Sequence, residues 1–168
     1  MRARGQCRQA EPPNPVAARS SSCHPASVYR ALDDGIELVA DDGRARVRLL
    51  APQRPFADEF VDFRVDLQDH GLNAVTGVRT IEGDGLASWA KTLADSYAGW
   101  ESEQSWESLE RDARIHARHD GRGHVTLRFV IRGPRAYEEA AWEASVSVNL
   151  DAGEDMRGLA REIEVFLR

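Results

Sequence analysis

The segment from Trp142 to Arg168 constrains the fold most, because its hydrophobic period changes once and both halves must bury their apolar residues against the same core. In Trp142-Glu-Ala-Ser-Val-Ser-Val-Asn-Leu150 the apolar Trp142, Ala144, Val146, Val148 and Leu150 alternate with polar neighbours, the period of a strand with one buried face. Asp151-Ala-Gly153 predicts a turn, and Glu154 and Asp155 place negative charge where a helix N-terminus favours it. Met156, Leu159, Ala160, Ile163, Phe166 and Leu167 then recur at three- and four-residue steps. A helix with that stripe has to lie back on a sheet.

A chain of 168 residues with 42% hydrophobic content is long enough for one domain with a real core. The net charge of −6 is unevenly spread: residues 1–30 carry Arg2, Arg4, Arg8, Arg19 and Arg30 against Glu11, a net +4, which leaves −10 for the remainder. An acidic body disfavours non-specific binding to nucleic acid or to an anionic membrane, since both are polyanions. The sequence has no apolar run near the ~18 residues of a membrane span and no apolar core of a secretory signal behind its first arginines, so a cytoplasmic location is expected. Cys7 and Cys23 both fall in the N-terminal segment, where a disulfide would staple nothing.

Residues 1–27 combine Pro12, Pro13, Pro15, Pro25 and Ser20-Ser-Ser22 with almost no large apolar residue. Such a composition cannot offset its ordering entropy, and a disordered tail is expected there, followed by a single domain over residues 28–168. From Gly35 onward alternation sets in. Ile36, Leu38 and Ala40 lead through Asp42-Gly43, a strong hairpin turn, to Ala45, Val47 and Leu49. Ala51-Pro-Gln-Arg-Pro55 is expected to break that strand. Val61, Phe63, Val65 and Leu67 form the next inner set, and a fourth strand follows over 72–81. Asp84 is the expected N-cap of a helix over 86–97, with Leu86, Trp89, Leu93 and Tyr97 on one face and Gly99 at its C-terminal end. A meander then follows, with Leu109, Ala113, Ile115 and Ala117 as the inner set of one strand and Val125, Leu127, Phe129 and Ile131 as that of the next. A polar loop leads from Gly133 to Trp142. The expected architecture is therefore α+β: an antiparallel sheet of about six to seven strands in the order ββββαβββα, with two helices packed on one face.

Alternation also fixes the opposite face, which should expose Asp62, Arg64 and Asp66 together with Glu110, Asp112, Arg114, His116, Arg118, His124, Thr126, Arg128, Val130, Arg132, Glu143, Ser145, Ser147 and Asn149. Opposite charges on neighbouring strands support a solvated sheet. Arginine in addition makes bidentate carboxylate contacts and is enriched in interfaces, so Arg114, His116, Arg118, His124, Arg128, Arg132 and Glu143 are the candidate interaction face.

Catalytic chemistry finds no foothold. The sequence contains no Gly-x-Ser-x-Gly, no His-Glu-x-x-His and no phosphate loop. Asp120-Gly-Arg-Gly123 lies between strands, without a helix dipole behind it. Glu138 and Glu139 read as loop charges. His116, His119 and His124 cluster around the meander turn, with His116 and His124 on the outer face, but a third convergent metal ligand is lacking. No catalytic, cofactor-binding or metal residues are assigned, and no cofactor is expected. Trp100 and Trp106, in an otherwise polar connection, and Trp89 on the first helix form a candidate pocket between sheet and helices.

Gly99-Trp100-Glu101, Trp106, Gly123-His124-Val125 and the strand 142–150 running into Glu154-Asp-Met156 and Leu159 together resemble an uncharacterised domain-of-unknown-function family of actinobacteria, over about residues 30–168. The resemblance implies a bacterial origin and a small α+β domain, and no activity, cofactor or catalytic residue. The expected function is a non-enzymatic protein-interaction module that neutralises or regulates a protein partner, as small acidic immunity proteins do, with neither nucleic acid nor membrane as partner. The alternative is a small-molecule or enzymatic pocket at the tryptophans; a third reading, nucleic-acid binding, would run through the tail.

Overall fold

The computed structural model describes residues 28–56, 59–133, 135–136, 139–140 and 142–168; the expected disordered tail, Cys7 and Cys23 lie outside them. The first five strands form a meander, β1 (Tyr29–Leu32), β2 (Gly35–Val39), β3 (Arg46–Gln53), β4 (Phe60–Asp69) and β5 (Leu72–Ile81), each antiparallel to the next. A short 3-10 turn (Glu82–Gly85) leads into α1 (Leu86–Asp95). The second sheet holds β6 (Gln104–Glu107), β7 (Ala113–His119), β8 (His124–Arg132) and β11 (Glu143–Asp151), in the order β11-β8-β7-β6. Between β8 and β11 the short strands β9 (Arg135–Ala136) and β10 (Glu139–Ala140) pair with each other, and α2 (Glu154–Phe166) ends the chain.

The α+β class and the antiparallel pairing match expectation, while the single sheet of six to seven strands is replaced by two sheets of five and four. The physical reason is the break at α1. Each hairpin pairs a strand with its chain neighbour, but the turn and helix between β5 and β6 carry the chain away from β5, so the second meander starts a new sheet. Because β7 lies between β6 and β8, the returning β11 takes the free edge of β8 over nine residue pairs, from Glu143↔Arg132 to Asp151↔His124.

Both sheets and both helices share one core. The inner residues Ile36, Leu38, Val47, Leu49, Val61, Phe63, Val65 and Leu67 of the first sheet and Ile115, Ala117, Val125, Leu127, Phe129, Val146, Val148 and Leu150 of the second are all buried, as are Leu86, Leu93, Met156, Leu159, Ile163 and Phe166 of the helices. The Phe63 and Phe166 rings meet edge to face at 5.4 Å. Asp151 Oδ1 accepts the backbone N–H of Gly153 and Glu154, both at 2.8 Å, and so satisfies donors that the start of α2 leaves unpaired.

Local expectations fail where a side chain found a better partner than its own segment offered. Pro52 does not end β3: the pairing runs from Leu50↔Arg64 to Gln53↔Asp62, so one extra residue is accommodated as a bulge with Ala51 at φ 53°. Asp84 does not cap α1, whose N-cap is Gly85. Its carboxylate instead accepts the N–H of Ile81 (3.0 Å) and of Leu109 (2.7 Å). Leu109 is 55% exposed in the β6–β7 turn, not part of an inner set. Trp106, expected in a loop, lies on β6 and is buried. Trp142 precedes β11 and is partly exposed; it packs so closely on Gly133 that any Cβ there would fall 2.4 Å from the indole nitrogen.

Candidate functional site

On the outer face of the four-stranded sheet the register produces five cross-strand rows. These are His124–Asp151, Arg118–Thr126–Asn149, Ser105–His116–Arg128–Ser147, Glu107–Arg114–Val130–Ser145, in which Val130 is buried and not exposed as expected, and, at the end, Arg132–Glu143. All seven residues of the candidate interaction face belong to this surface, as the alternation implied. They divide into two halves. Where acids are present they are engaged: Arg114 Nε donates to Glu107 at 3.1 Å, and Arg132 Nε donates to Glu143 at 2.9 Å while its Nη1 stands 4.0 Å from Glu107. In the other half the paired residues of the Arg118 and Arg128 rows include no carboxylate, although Glu103, just before β6, reaches His116 and Asp151 faces His124 in the adjoining row. Arg118 and Arg128, diagonal neighbours on β7 and β8, are both exposed, and among the described residues neither makes an ion pair.

The histidines do not converge. His116 Nδ1 lies 2.8 Å from Glu103, and His124 Nδ1 lies 2.9 Å from Asp120. His119 Nδ1 accepts the Gly121 N–H at 2.9 Å, and its ring meets the Trp100 edge at 5.2 Å. Gly99 backs that contact at φ 117°, and a Cβ there would stand 3.0 Å from His119 Nδ1. Among the described residues no group of three or more His, Cys, Asp or Glu side chains is placed to hold a metal ion. Asp120 closes the β7–β8 turn by accepting the N–H of His124 (3.0 Å) and of Arg122 (2.6 Å). These bonds and the His124 ring hold its carboxyl well below the usual carboxylate range.

Among the described residues the three tryptophans do not line one cavity together. Trp106 donates its indole N–H to the Asp84 carbonyl at 3.0 Å and lines a core void of about 10 Å³ that neither Trp89 nor Trp100 reaches, at the lower limit for a single water. Trp89 and Trp100 pack against the margin of the core. Larger depressions lie elsewhere. A cleft of about 420 Å³ sits between the β1–β2 turn, the end of β3 and the last turn of α2, and a groove of about 860 Å³ runs between α1 and α2.

The outer face of the five-stranded sheet holds the charges that sequence reasoning passed over. It placed Arg64 and Asp66 there but not Arg30, Glu37, Arg46 or Arg48. One row crosses four strands as Arg30–Glu37–Arg48–Asp66 and ends on Val75 of β5. Glu37 and Asp66 are buried although they face outward. Glu37 is held by Arg30 and, at 3.1 Å, by Arg46; Asp66 is held by Arg64 at 2.9 Å and by Arg48 at 3.9 Å. The alternation of Glu37 and Arg48 with apolar neighbours was the available signal. On the same face Arg79 bonds Asp62 through two nitrogens, at 2.8 and 2.6 Å, and lowers the Asp62 pKa.

No curated protein and no solved structure matches the chain. Residues 38–168 match a family described as a family of unknown function, DUF6228, and the chain belongs to it.

Proposed function

We propose that this domain is a non-enzymatic interaction module of a bacterial cytoplasm, and that it binds a partner protein through the Arg118 and Arg128 half of the four-stranded sheet's outer face. The observation that carries the reading is the pair Arg118 and Arg128, exposed diagonal neighbours that make no ion pair among the described residues. Two guanidinium groups on a rigid ladder present forked donors to a carboxylate-bearing surface. Both rows are otherwise small or polar, with Thr126 donating to Asn149 at 2.8 Å, so a flat partner surface could approach the strands. Arg114, Arg132 and Glu143, already tied into ion pairs, would form the rim.

The test is charge reversal at the two open positions. Arg118→Glu with Arg128→Glu should abolish capture of a partner that the unaltered chain retains from native lysate after cross-linking, while thermal unfolding stays the same. Retention of the same proteins by both chains would remove the basis of the reading.

A further inference from the structure

The row across the five-stranded sheet is a second charged surface, separate from the one proposed above. Its layering is unusual for a solvated sheet: the acids are inside and the bases outside. The Glu37 and Asp66 side chains are 3% and 8% exposed, whereas those of Arg30, Arg64, Arg46 and Arg48 are 63%, 53%, 36% and 28% exposed. Each carboxylate holds two guanidinium groups, so each trio keeps one uncompensated positive charge. The two trios are adjacent, because Glu37 pairs with Arg48 and Arg48 with Asp66 in the strand register.

Arg48, in the middle, is the least satisfied of the four. Its only ion pair is the 3.9 Å approach to Asp66, and its buried Nε finds no acceptor among the described residues. A buried donor without an acceptor is costly, so Arg48 is held less firmly by its own strands than the other three. The exposed arginines are already held by their acids, so a ligand has less side-chain freedom to remove.

We infer that the outer face of the five-stranded sheet, centred on Arg48 and Arg64, binds an acidic peptide segment of a partner protein. The excess charge of the two trios complements carboxylates spaced along an extended chain. A peptide fits better than nucleic acid, because a chain of net charge −6 repels a long polyanion while a short acidic segment meets only the local field.

The test is titration of a short oligoglutamate peptide, and in parallel a DNA duplex of equal charge, into the whole chain at low salt. The Arg118→Glu/Arg128→Glu variant, which removes the arginine pair of the other sheet, should still bind the peptide. Arg48→Gln with Arg64→Gln should weaken binding at least about tenfold. Should that pair fail to fold, Arg30→Gln, at the most exposed of the four, should weaken binding severalfold with unchanged unfolding. The inference is overturned if the unaltered chain shows no binding up to millimolar peptide, if the folded substitutions leave affinity unchanged, if only the Arg118/Arg128 reversal removes binding, or if the duplex binds more tightly than the peptide.

Discussion

Asp120 shows what one side chain can fix in a segment that the sequence marks only as a turn. The sequence Asp120-Gly-Arg-Gly123 predicts only a reversal, yet the carboxylate accepts the Arg122 and His124 N–H groups and meets the His124 ring. Its pKa is depressed in the folded chain, so its stabilising effect is complete above the unfolded carboxylate value of about 4 and is lost as pH falls further, through the folded value. Asp120→Ala should therefore make thermal stability less sensitive to acidification below about pH 4, as followed by melts across an acid series. An acid limb as steep as that of the unaltered chain would assign the effect to other carboxylates, Asp62 with its Arg79 pair being the first to examine. The turn was legible in the sequence; its tether was not, because a hydrogen-bonding Asp and a merely solvated one look alike in a string of letters.

Among the elements, α2 was the most legible, since a period of three to four residues requires a stripe and every expected member of it, Met156 to Leu167, is buried. What the period could not show is the contact on the neighbouring side of the helix. Gly158 receives the Tyr29 side chain of β1 so closely that a Cβ would stand 1.7 Å from its hydroxyl oxygen. The strand β1 itself was missed, because four residues beside a proline-rich segment carry too little alternation to register. Gly158→Ala should thus destabilise the chain by about 1–3 kcal/mol, the usual penalty for overpacking, even though alanine is the better helix former by about 1 kcal/mol. Gly77→Ala on the exposed face of β5, with nothing within 4 Å of the new methyl group, provides the control. Urea unfolding of the two variants separates the cases: equal midpoints would mean that β1 moves aside and does not lock α2.

At the scale of the whole molecule the unforeseen feature is that two sheets share one core, and alternation could not have revealed it. Period two tells which residues of a strand face inward, and those assignments hold for Ile36 to Leu67, for Ile115 to Ile131 and for Val146 to Leu150, and fail at Trp142, which is exposed. It does not tell which strands share a ladder. That is decided where β5 passes into α1, and Asp84 stands at the junction. With φ 48°, a conformation that Asp tolerates better than most residues, it accepts Ile81 at the end of the first sheet and Leu109 after β6 of the second, while its carbonyl receives the indole N–H of Trp106. A second link is the Thr76 hydroxyl of β5, which donates to the Arg132 carbonyl of β8 at 2.9 Å. Asp84 thus ties the two sheets through three hydrogen bonds, two of them to a charged acceptor. Asp84→Ala removes those two and leaves a non-glycine residue at positive φ; a loss of about 2–4 kcal/mol is expected. Asp84→Gly, which removes the same bonds but relieves the backbone, should lose less. Calorimetric melts of the two variants against the unaltered chain measure both terms, and hydrogen exchange locates them: the amides of Ile81 and Leu109 should lose protection first, ahead of the central strands β4 and β8. If both variants melt with the unaltered chain, the shared core alone holds the sheets together, and Asp84 only shapes the loop that joins them.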